Sequence, residues 1–412
     1  MQRSRFLVGL ILLVFFVISF LTNIIGPLVP DVIESFDLSL TMAGLLPFSF
    51  FVAYGVMSGP AGVLVEYWRD KRVMVLAFAL AALGALLFAS TPDFTVYVLS
   101  LFLIGAGMAM LQVAINPLLR VAGGEEHFAF NSVLAQMFFG LASFLSPMMF
   151  SWLVSNSGTP AREGIAAFLQ RLAPENMPWV SLYWVFAVVS LVMVIVITGI
   201  SFPKVIRTAD EKVGARDVHY TLLRKPLVWL YFLGVFMYVG TEQGVANWIS
   251  QFLQTYHAVD PQTTGAQTVS YFWGLMTAGT LLGLALLKFV DSRKVIIGFT
   301  LGAMLCLAFA LFGDKAVALV AFPLVGFFAS VMWSVIISLA LNSVSAHHGS
   351  FSGILVTGIV GGAIVPLIVG GIGDVVGLRG GMIFLFLTLT YILSIGFWAK
   401  PLINNKVIGQ KT

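Results

Sequence analysis

Long apolar runs constrain this chain more than any other feature of its sequence. About a dozen of them could cross the roughly 30 Å hydrocarbon core of a bilayer as α-helices. Hydrophobic residues make up 59% of the chain and charged residues only 10%, which excludes a soluble domain of 412 residues. We therefore predict an all-α membrane protein with twelve transmembrane helices, near residues 6–29, 42–65, 73–91, 96–119, 132–155, 180–201, 227–253, 268–289, 295–313, 316–341, 353–373 and 381–399.

Basic residues are distributed unequally between the two sides of the predicted membrane. Twelve spans put both chain ends on one side, and eighteen of the 22 Lys and Arg residues fall on that side. Such a bias marks the cytoplasmic face, so we expect cytoplasmic termini in a plasma membrane, the inner membrane if the source is bacterial. The net charge of +4 then reflects topology and does not indicate nucleic-acid binding.

The predicted spans divide into two sets of six. The halves look like diverged copies, because the segment beginning at Asp70 resembles the one beginning at Ser292, and Pro147 in the fifth span corresponds to Pro366 in the eleventh. Two pseudo-symmetric six-helix bundles around a central site are typical of transporters. The predicted parts are an N-terminal bundle, a cytoplasmic linker, a C-terminal bundle and a cytoplasmic tail, at residues 1–201, 202–226, 227–400 and 401–412.

Glu242 is the most unusual residue within the predicted spans. It lies about midway along the seventh span, at the depth of the bilayer centre. A carboxyl group there costs several kcal/mol unless it faces water, a partner or a proton, and such residues usually mark an ion or substrate pathway. The alternative is a neutral glutamic acid that bonds to a neighbouring helix.

Other polar and aromatic side chains within the spans are candidates for a shared cavity. Amides offer both hydrogen-bond donors and acceptors for sugar hydroxyls, and aromatic planes suit the apolar faces of sugars. The same amides could instead join helices, and the same rings could face lipid. The predicted substrate-binding residues are Asn23, Gln112, Asn116, Gln136, Gln243, Asn247, Trp248, Trp273 and Trp333.

Polar residues near the ends of the spans are expected to be structural. Asp31, Glu34 and Asp37 form an external acidic segment predicted to lie in solvent, and Asp374 is expected to order a turn. No Ser/His or His/Asp pair is placed at one depth in the spans, so we do not predict an enzyme. No cluster of metal ligands is predicted, and the single cysteine, Cys306, excludes an internal disulfide.

The loop between the second and third spans resembles the cytoplasmic signature loop of the major facilitator superfamily. Here an acid is followed by a basic cluster, with Glu66 where an Asp is usual and Arg69 where a Gly is usual. In that family these groups latch helix ends in one conformation. The resemblance implies that Glu66, Arg69 and Lys71 form a conformational latch, whereas a solvated loop that only sets topology is the alternative.

Further motifs narrow the resemblance to the fucose/hexose (glucose/galactose) porter branch of that superfamily. They lie at residues 44–54, 111–117, 134–136, 238–242, 273–274, 361–366 and 373–374. In the fucose transporters, to which this chain is similar, the first helix carries an Asn, matched by Asn23, and an Asp, replaced here by Gly26. A Glu is replaced by Gln112 and an Arg by Thr280. The resemblance therefore leaves Glu242, present in hexose-type relatives, as the main buried acid.

The resemblance implies a monomeric transporter that moves a monosaccharide by alternating access without an organic cofactor. Glu242 would couple transport to an ion or accept a sugar hydroxyl. The coupling ion could be a proton or a sodium ion, with Gln243 or Asn247 as further sodium ligands. A sugar uniporter without ion coupling, and a drug/proton antiporter of the same fold, are the alternatives.

Overall fold

Helices contain nearly all of the chain that the computed structural model describes, namely residues 5–123, 128–155, 165–202, 221–344 and 348–402. The first half contains α1 (Arg5–Thr22), α2 (Ile25–Phe36), α3 (Leu40–Trp68), α4 (Asp70–Ser90), α5 (Phe94–Gly123), α6 (Phe128–Ser155), α7 (Ile165–Arg171) and α8 (Ser181–Gly199). The second half contains α9 (Pro226–Ala246), α10 (Ile249–His257), α11 (Ala266–Leu286), α12 (Ser292–Phe312), α13 (Lys315–Ala329), α14 (Met332–Leu341), α15 (His348–Thr357), α16 (Gly361–Val376) and α17 (Leu378–Trp398). This architecture confirms the predicted fold class.

Eleven segments of the described chain are long and apolar enough to cross a membrane. The predicted seventh span is divided into α9 and α10, and its polar residues Glu242 and Gln243 lower its mean hydropathy. We count it as the twelfth crossing because α9 packs among the other helices, between α16 and α17. Of the four predicted parts of the chain, the linker 202–226 and the tail 401–412 fall largely outside the described residues, so that division stays a prediction.

The two halves repeat one another in their helix boundaries. Helix α4 begins at Asp70 and α12 at Ser292, an offset of 222 residues, and each helix has 21 residues. The first span is interrupted at Asn23 and Ile24 and the seventh at Asn247 and Trp248, which is an offset of 224. Equivalent interruptions at nearly the same offset are expected of a duplicated unit.

Helices of the two halves approach each other closely through glycine. Twelve crossings place the start of α1 and the end of α17 on one side, and we call the opposite side the distal side. In the distal part of α3, a Cβ on Gly44 would lie 2.9 Å from Leu367 Cα of α16; deeper in the bilayer, a Cβ on Gly140 of α6 would lie 2.0 Å from Thr277 Oγ1 of α11. A side chain at either glycine would force these helices apart.

Helix α3 of the first half and the segment of α15 and α16 in the second half separate toward the side of the chain ends. The Cβ position of Gly55 is 3.8 Å from Val360 Cγ2, whereas the Cβ positions of Gly59, one turn further along, and of Gly353 in α15 have no atom within 4 Å. The halves are therefore in contact on the distal side and diverge toward the chain ends. The space between them opens on the side of the chain ends.

Candidate functional site

Glu242 lies in a line of hydrogen-bonded side chains on α9. The Tyr238 hydroxyl donates to Glu242 Oε2 at 2.5 Å, and Gln243 Nε2 donates to Glu242 Oε1 at 3.1 Å. Asn247 Nδ2 in turn donates to Gln243 Oε1 at 3.3 Å. Tyr238, Gln243 and Asn247 are buried, whereas Glu242 is half-buried. Each carboxylate oxygen therefore has one donor, and part of the surface of the Glu242 residue remains accessible.

An aromatic wall adjoins the acid. The ring of Trp333, from α14, lies 6.1 Å from the ring of Tyr238 between centroids, at an interplanar angle of 50°. Trp333 is half-buried, so its indole retains an open surface. The contact through Tyr238 places a large apolar plane beside the polar line of α9, the combination expected of a site for polyhydroxylated rings.

The interruption of the first span places Asn23 between α1 and α2. Pro27 has no N–H, so it cannot bond to the Asn23 carbonyl four residues earlier, and its ring crowds that carbonyl. The Asn23 amide donates to Ser19 Oγ at 3.2 Å and to Ser143 Oγ at 2.9 Å. The Asn23 side chain therefore joins the first span to α6, and its Oδ1 atom remains available as an acceptor.

The two interrupted spans meet at Gly26. A Cβ on Gly26 would lie 2.3 Å from Ala246 O and 3.2 Å from Asn247 Cα. The start of α2 thus packs directly on the end of α9, backbone against backbone. This contact brings the polar interruptions of both halves to the same depth.

The remaining candidates occupy different environments. Gln136 is exposed, although it shares the inner face of α6 with Gly140 and Ser143, which contact the neighbouring helices α11 and α1. Its amide therefore faces the space between the halves. Gln112 of α5 is half-buried, and the side chain of Asn116 lies outside the described residues.

Two tryptophans differ in their hydrogen bonds. Trp248 is fully buried, and its Nε1 donates to Pro366 O at 3.2 Å, which commits the indole to packing against α16. Trp273 is 4% exposed, and its Nε1 has no hydrogen-bond partner in the described chain. A buried N–H without a partner is costly, and because this nitrogen has almost no accessible surface, it is not open to a ligand in this conformation.

The predicted latch is only partly described. The Glu66 side chain lies outside the described residues, and Arg69 is exposed. Lys71 Nζ donates to Thr198 O and to Ile200 O, each at 2.8 Å. It therefore holds the carboxyl end of α8 within its own half in this conformation.

Arg69 has an unfavourable backbone conformation, with φ 70° and ψ 151°. This region is occupied almost only by glycine, and a side chain there costs about 1–3 kcal/mol. We expect Arg69→Gly to raise stability by roughly 1 kcal/mol after the entropy cost of glycine is subtracted, measured as a higher unfolding temperature in detergent at a fixed heating rate. Gly199→Ala, at a site with no atom near the new methyl group, is the control. A lower unfolding temperature of Arg69→Gly would contradict the unfavourable backbone conformation of Arg69.

Tyr238 was not among the residues predicted to bind substrate. Its position four residues before Glu242 could have identified it, because residues at that spacing share a helix face. Ser19 and Ser143 had no comparable signal, since their contact joins residues 124 apart in the chain. Among the described residues, no group of three or more His, Cys, Asp or Glu is placed to hold a metal ion.

Comparisons with known proteins cover almost the whole chain. Residues 11–358 match the sequence profile of the Major Facilitator Superfamily. The glucose/galactose transporter of Brucella abortus biovar 1 is 31% identical over 393 residues, which are 93% of this chain and 92% of that protein. The L-fucose-proton symporter of Escherichia coli K12 is 25% identical over 383 residues, 88% of this chain and 86% of that one.

Solved structures agree in fold. The transporter FucP in its outward conformation gives a TM-score of 0.68 at 23% identity, over 96% of this chain and 99% of that chain. An inward-facing, occupied bacterial homolog of the human lysosomal transporter Spinster gives 0.77 at 14% identity, over 95% and 96% of the two chains. At these identities the likeness shows the fold alone.

Proposed function

This chain belongs to the Major Facilitator Superfamily, and from that premise we propose that it carries a monosaccharide across a plasma membrane by alternating access, coupled to an ion through Glu242. The observation that carries the proposal is the environment of Glu242. A half-buried carboxylate accepts hydrogen bonds from Tyr238 and Gln243, close to the interruption of its helix. The ring of Tyr238 contacts the half-buried ring of Trp333.

The chemistry of this site suits a hexose or deoxyhexose. Such a ring has hydroxyl groups around its edge and apolar C–H groups on its faces. Gln136 supplies an exposed amide, Glu242 supplies a half-buried carboxyl group, and Trp333 supplies a half-buried aromatic plane. The relatives named as a glucose/galactose transporter and an L-fucose-proton symporter support this class of substrate.

A proton is the coupling ion that the geometry favours. Both Glu242 oxygens already accept hydrogen bonds, and Gln243 presents its NH₂ group to the carboxylate rather than its oxygen. Sodium, as a hard cation, would require several oxygens around it, and so a rotated Gln243 amide. A proton needs only the carboxyl group itself, whose protonated form is neutral and therefore less costly than the carboxylate in a low-dielectric interior.

The proposed orientation places both chain ends in the cytoplasm, in accordance with the excess of basic residues on that side. The distal side then faces outward, and the conformation described above is open to the cytoplasm. We propose a monomer as the working unit, since each chain contains a complete pair of halves around one site.

Uptake of labelled glucose, galactose and fucose into proteoliposomes tests the proposal. Purified protein is assayed under an inward proton gradient, an inward sodium gradient and no gradient. Accumulation above the external concentration is expected with the proton gradient. Accumulation with the sodium gradient alone would identify sodium as the coupling ion. Equal entry of sugar under all three conditions would identify a uniporter. No sugar entry by a folded sample would favour the drug/proton antiporter.

Trp333→Ala is expected to weaken sugar binding on the order of tenfold, because stacking of one aromatic plane contributes about 1 kcal/mol or more. The half-saturating concentration for sugar exchange across the membrane measures this change. Trp229→Ala is the matched control, since Trp229 lies exposed near the start of α9 and its Nε1 donates to Leu223 O. An equal loss in both variants would remove Trp333 from the proposed site.

A further inference from the structure

Asp374, at the distal end of α16, caps a helix that belongs to the other half of the protein. Its Oδ1 accepts a hydrogen bond from Leu40 N at 2.8 Å, and its Oδ2 accepts from Thr41 N at 2.9 Å. The Thr41 hydroxyl donates to the same Oδ2. Leu40 and Thr41 are the first residues of α3, whose N–H groups have no partner within the helix. The carboxylate also interacts favourably with the positive end of the helix dipole.

Glycine in α16 permits this contact. A Cβ on Gly370 would lie 2.4 Å from Leu40 O, and one on Gly373 would lie 2.9 Å from Leu40 Cδ1. Asp374 follows Gly370 by four residues and therefore lies on the same face of α16. The backbones of α3 and α16 must touch for the carboxylate to reach the amides. The cap therefore exists only while the distal side is closed.

A second carboxylate makes the reciprocal contact. Asp31 of α2, in the first half, accepts a hydrogen bond from Gln262 Nε2 of the second half at 2.6 Å. Asp31 is only 8% exposed, which corrects its predicted position in solvent. Gln262 lies in the turn Pro261–Gly265 before α11, and Asp260 caps that turn by accepting from Gln262 N. Each half thus contributes one carboxylate to the distal closure.

We propose that Asp374 and Asp31 form a reciprocal distal latch, which stabilises the distal-closed conformation and must release before the distal side opens. A contact that exists in one conformation and not in the other shifts the equilibrium between them. Asp374 makes the larger number of contacts, because it accepts three hydrogen bonds across the interface. The latch serves the transport cycle and in that sense rests on the proposed function, but closure can be measured without any sugar.

The test measures how often the distal side opens. Leu367 packs against Gly44 at the closed interface and is half-buried, so Leu367→Cys, in a Cys306→Ser background, should react faster with a charged maleimide once α3 and α16 separate. Purified protein in detergent is labelled in the absence of sugar, and the labelling rate follows the open fraction. Adding Asp374→Ala is expected to raise this rate about tenfold, since charge-assisted hydrogen bonds across the interface are lost.

Matched variants separate the latch from general loosening of the structure. Asp93 caps α5 by accepting from Thr95 N and Val96 N within its own half, so Asp93→Ala should change the rate less than twofold. Thr41→Val, at an exposed position, and Gln262→Ala each remove one interbundle contact and should raise the rate about threefold. These two variants decide the question if Asp374→Ala does not fold.

Equal labelling rates with and without these substitutions, in samples with unchanged unfolding temperatures, would overturn the latch. A rise as large in Asp93→Ala would also overturn it. Sugar uptake by the same proteins is scored separately. Faster opening in the latch variants, together with no sugar uptake by the protein whose latch is intact, would retain the latch and refute the proposed substrate.

Discussion

Glu242→Gln is expected to abolish accumulation of sugar against its gradient while exchange of sugar across the membrane continues. Glutamine keeps the shape of the side chain and its acceptor oxygen for Tyr238, but it cannot gain or lose a proton. A membrane potential of about 100 mV contributes about 2.3 kcal/mol per charge, enough for a roughly fortyfold concentration ratio. With the variant, the sugar concentration inside the proteoliposomes should rise only until it equals the concentration outside. Uptake into proteoliposomes under a proton gradient measures the ratio directly.

Glu34→Gln provides the matched control for this prediction. Glu34 is a carboxylate on α2, in the other interrupted span, and it is exposed. Its replacement should leave accumulation unchanged. If Glu242→Gln accumulates sugar as the unsubstituted protein does, the carboxyl group is structural and the energy coupling lies elsewhere.

Gly26→Ala is expected to reduce the maximal transport rate about tenfold. The new methyl group would lie 2.3 Å from Ala246 O, a backbone atom that cannot rotate away. Overpacking of this kind costs about 1–3 kcal/mol, and the cost falls on the conformation in which α2 and α9 are in contact. Uptake at saturating sugar measures the rate, and faster maleimide labelling of Leu367→Cys should accompany the loss. Aspartate, the residue of the fucose transporters at this position, should be tolerated no better.

Gly9→Ala is the control in the same span. Gly9 lies in α1 and has no atom within 4 Å of its Cβ position, so an added methyl group should be accepted there. Normal transport by Gly26→Ala would show that the distal contact between the spans is not required in the cycle.

The number and positions of the helices could be predicted because the hydrocarbon core demands long apolar segments. The break in the first span also had a local signal, since Gly26 and Pro27 follow Asn23 directly. The breaks in the seventh and tenth spans had none. Ser330 and Val331 interrupt the tenth span without a proline in the four residues that follow, so their conformation depends on packing with neighbouring helices.

The depth of Glu242 was predictable from the sequence, because it lies about midway along an apolar run. The contacts between the halves were not. Asp31 and Gln262 are 231 residues apart and Asp374 and Thr41 are 333 apart, and no periodicity within one helix reveals such a pairing. Asp31 was therefore predicted in solvent and Asp374 in a local turn, whereas each bonds to the opposite half.

The glycine contacts between the halves make the closure of the protein independent of the side chains that line the space beneath. Closure at Gly26, Gly44 and Gly370 depends on backbone atoms, whose shape is the same whatever side chains line the space beneath. Residues proposed to line the site, such as Gln136 and Trp333, could then be exchanged without reshaping the surfaces that close. Libraries that vary the residues lining the space between the halves and keep these glycines should yield proteins with altered substrate selectivity that still open and close.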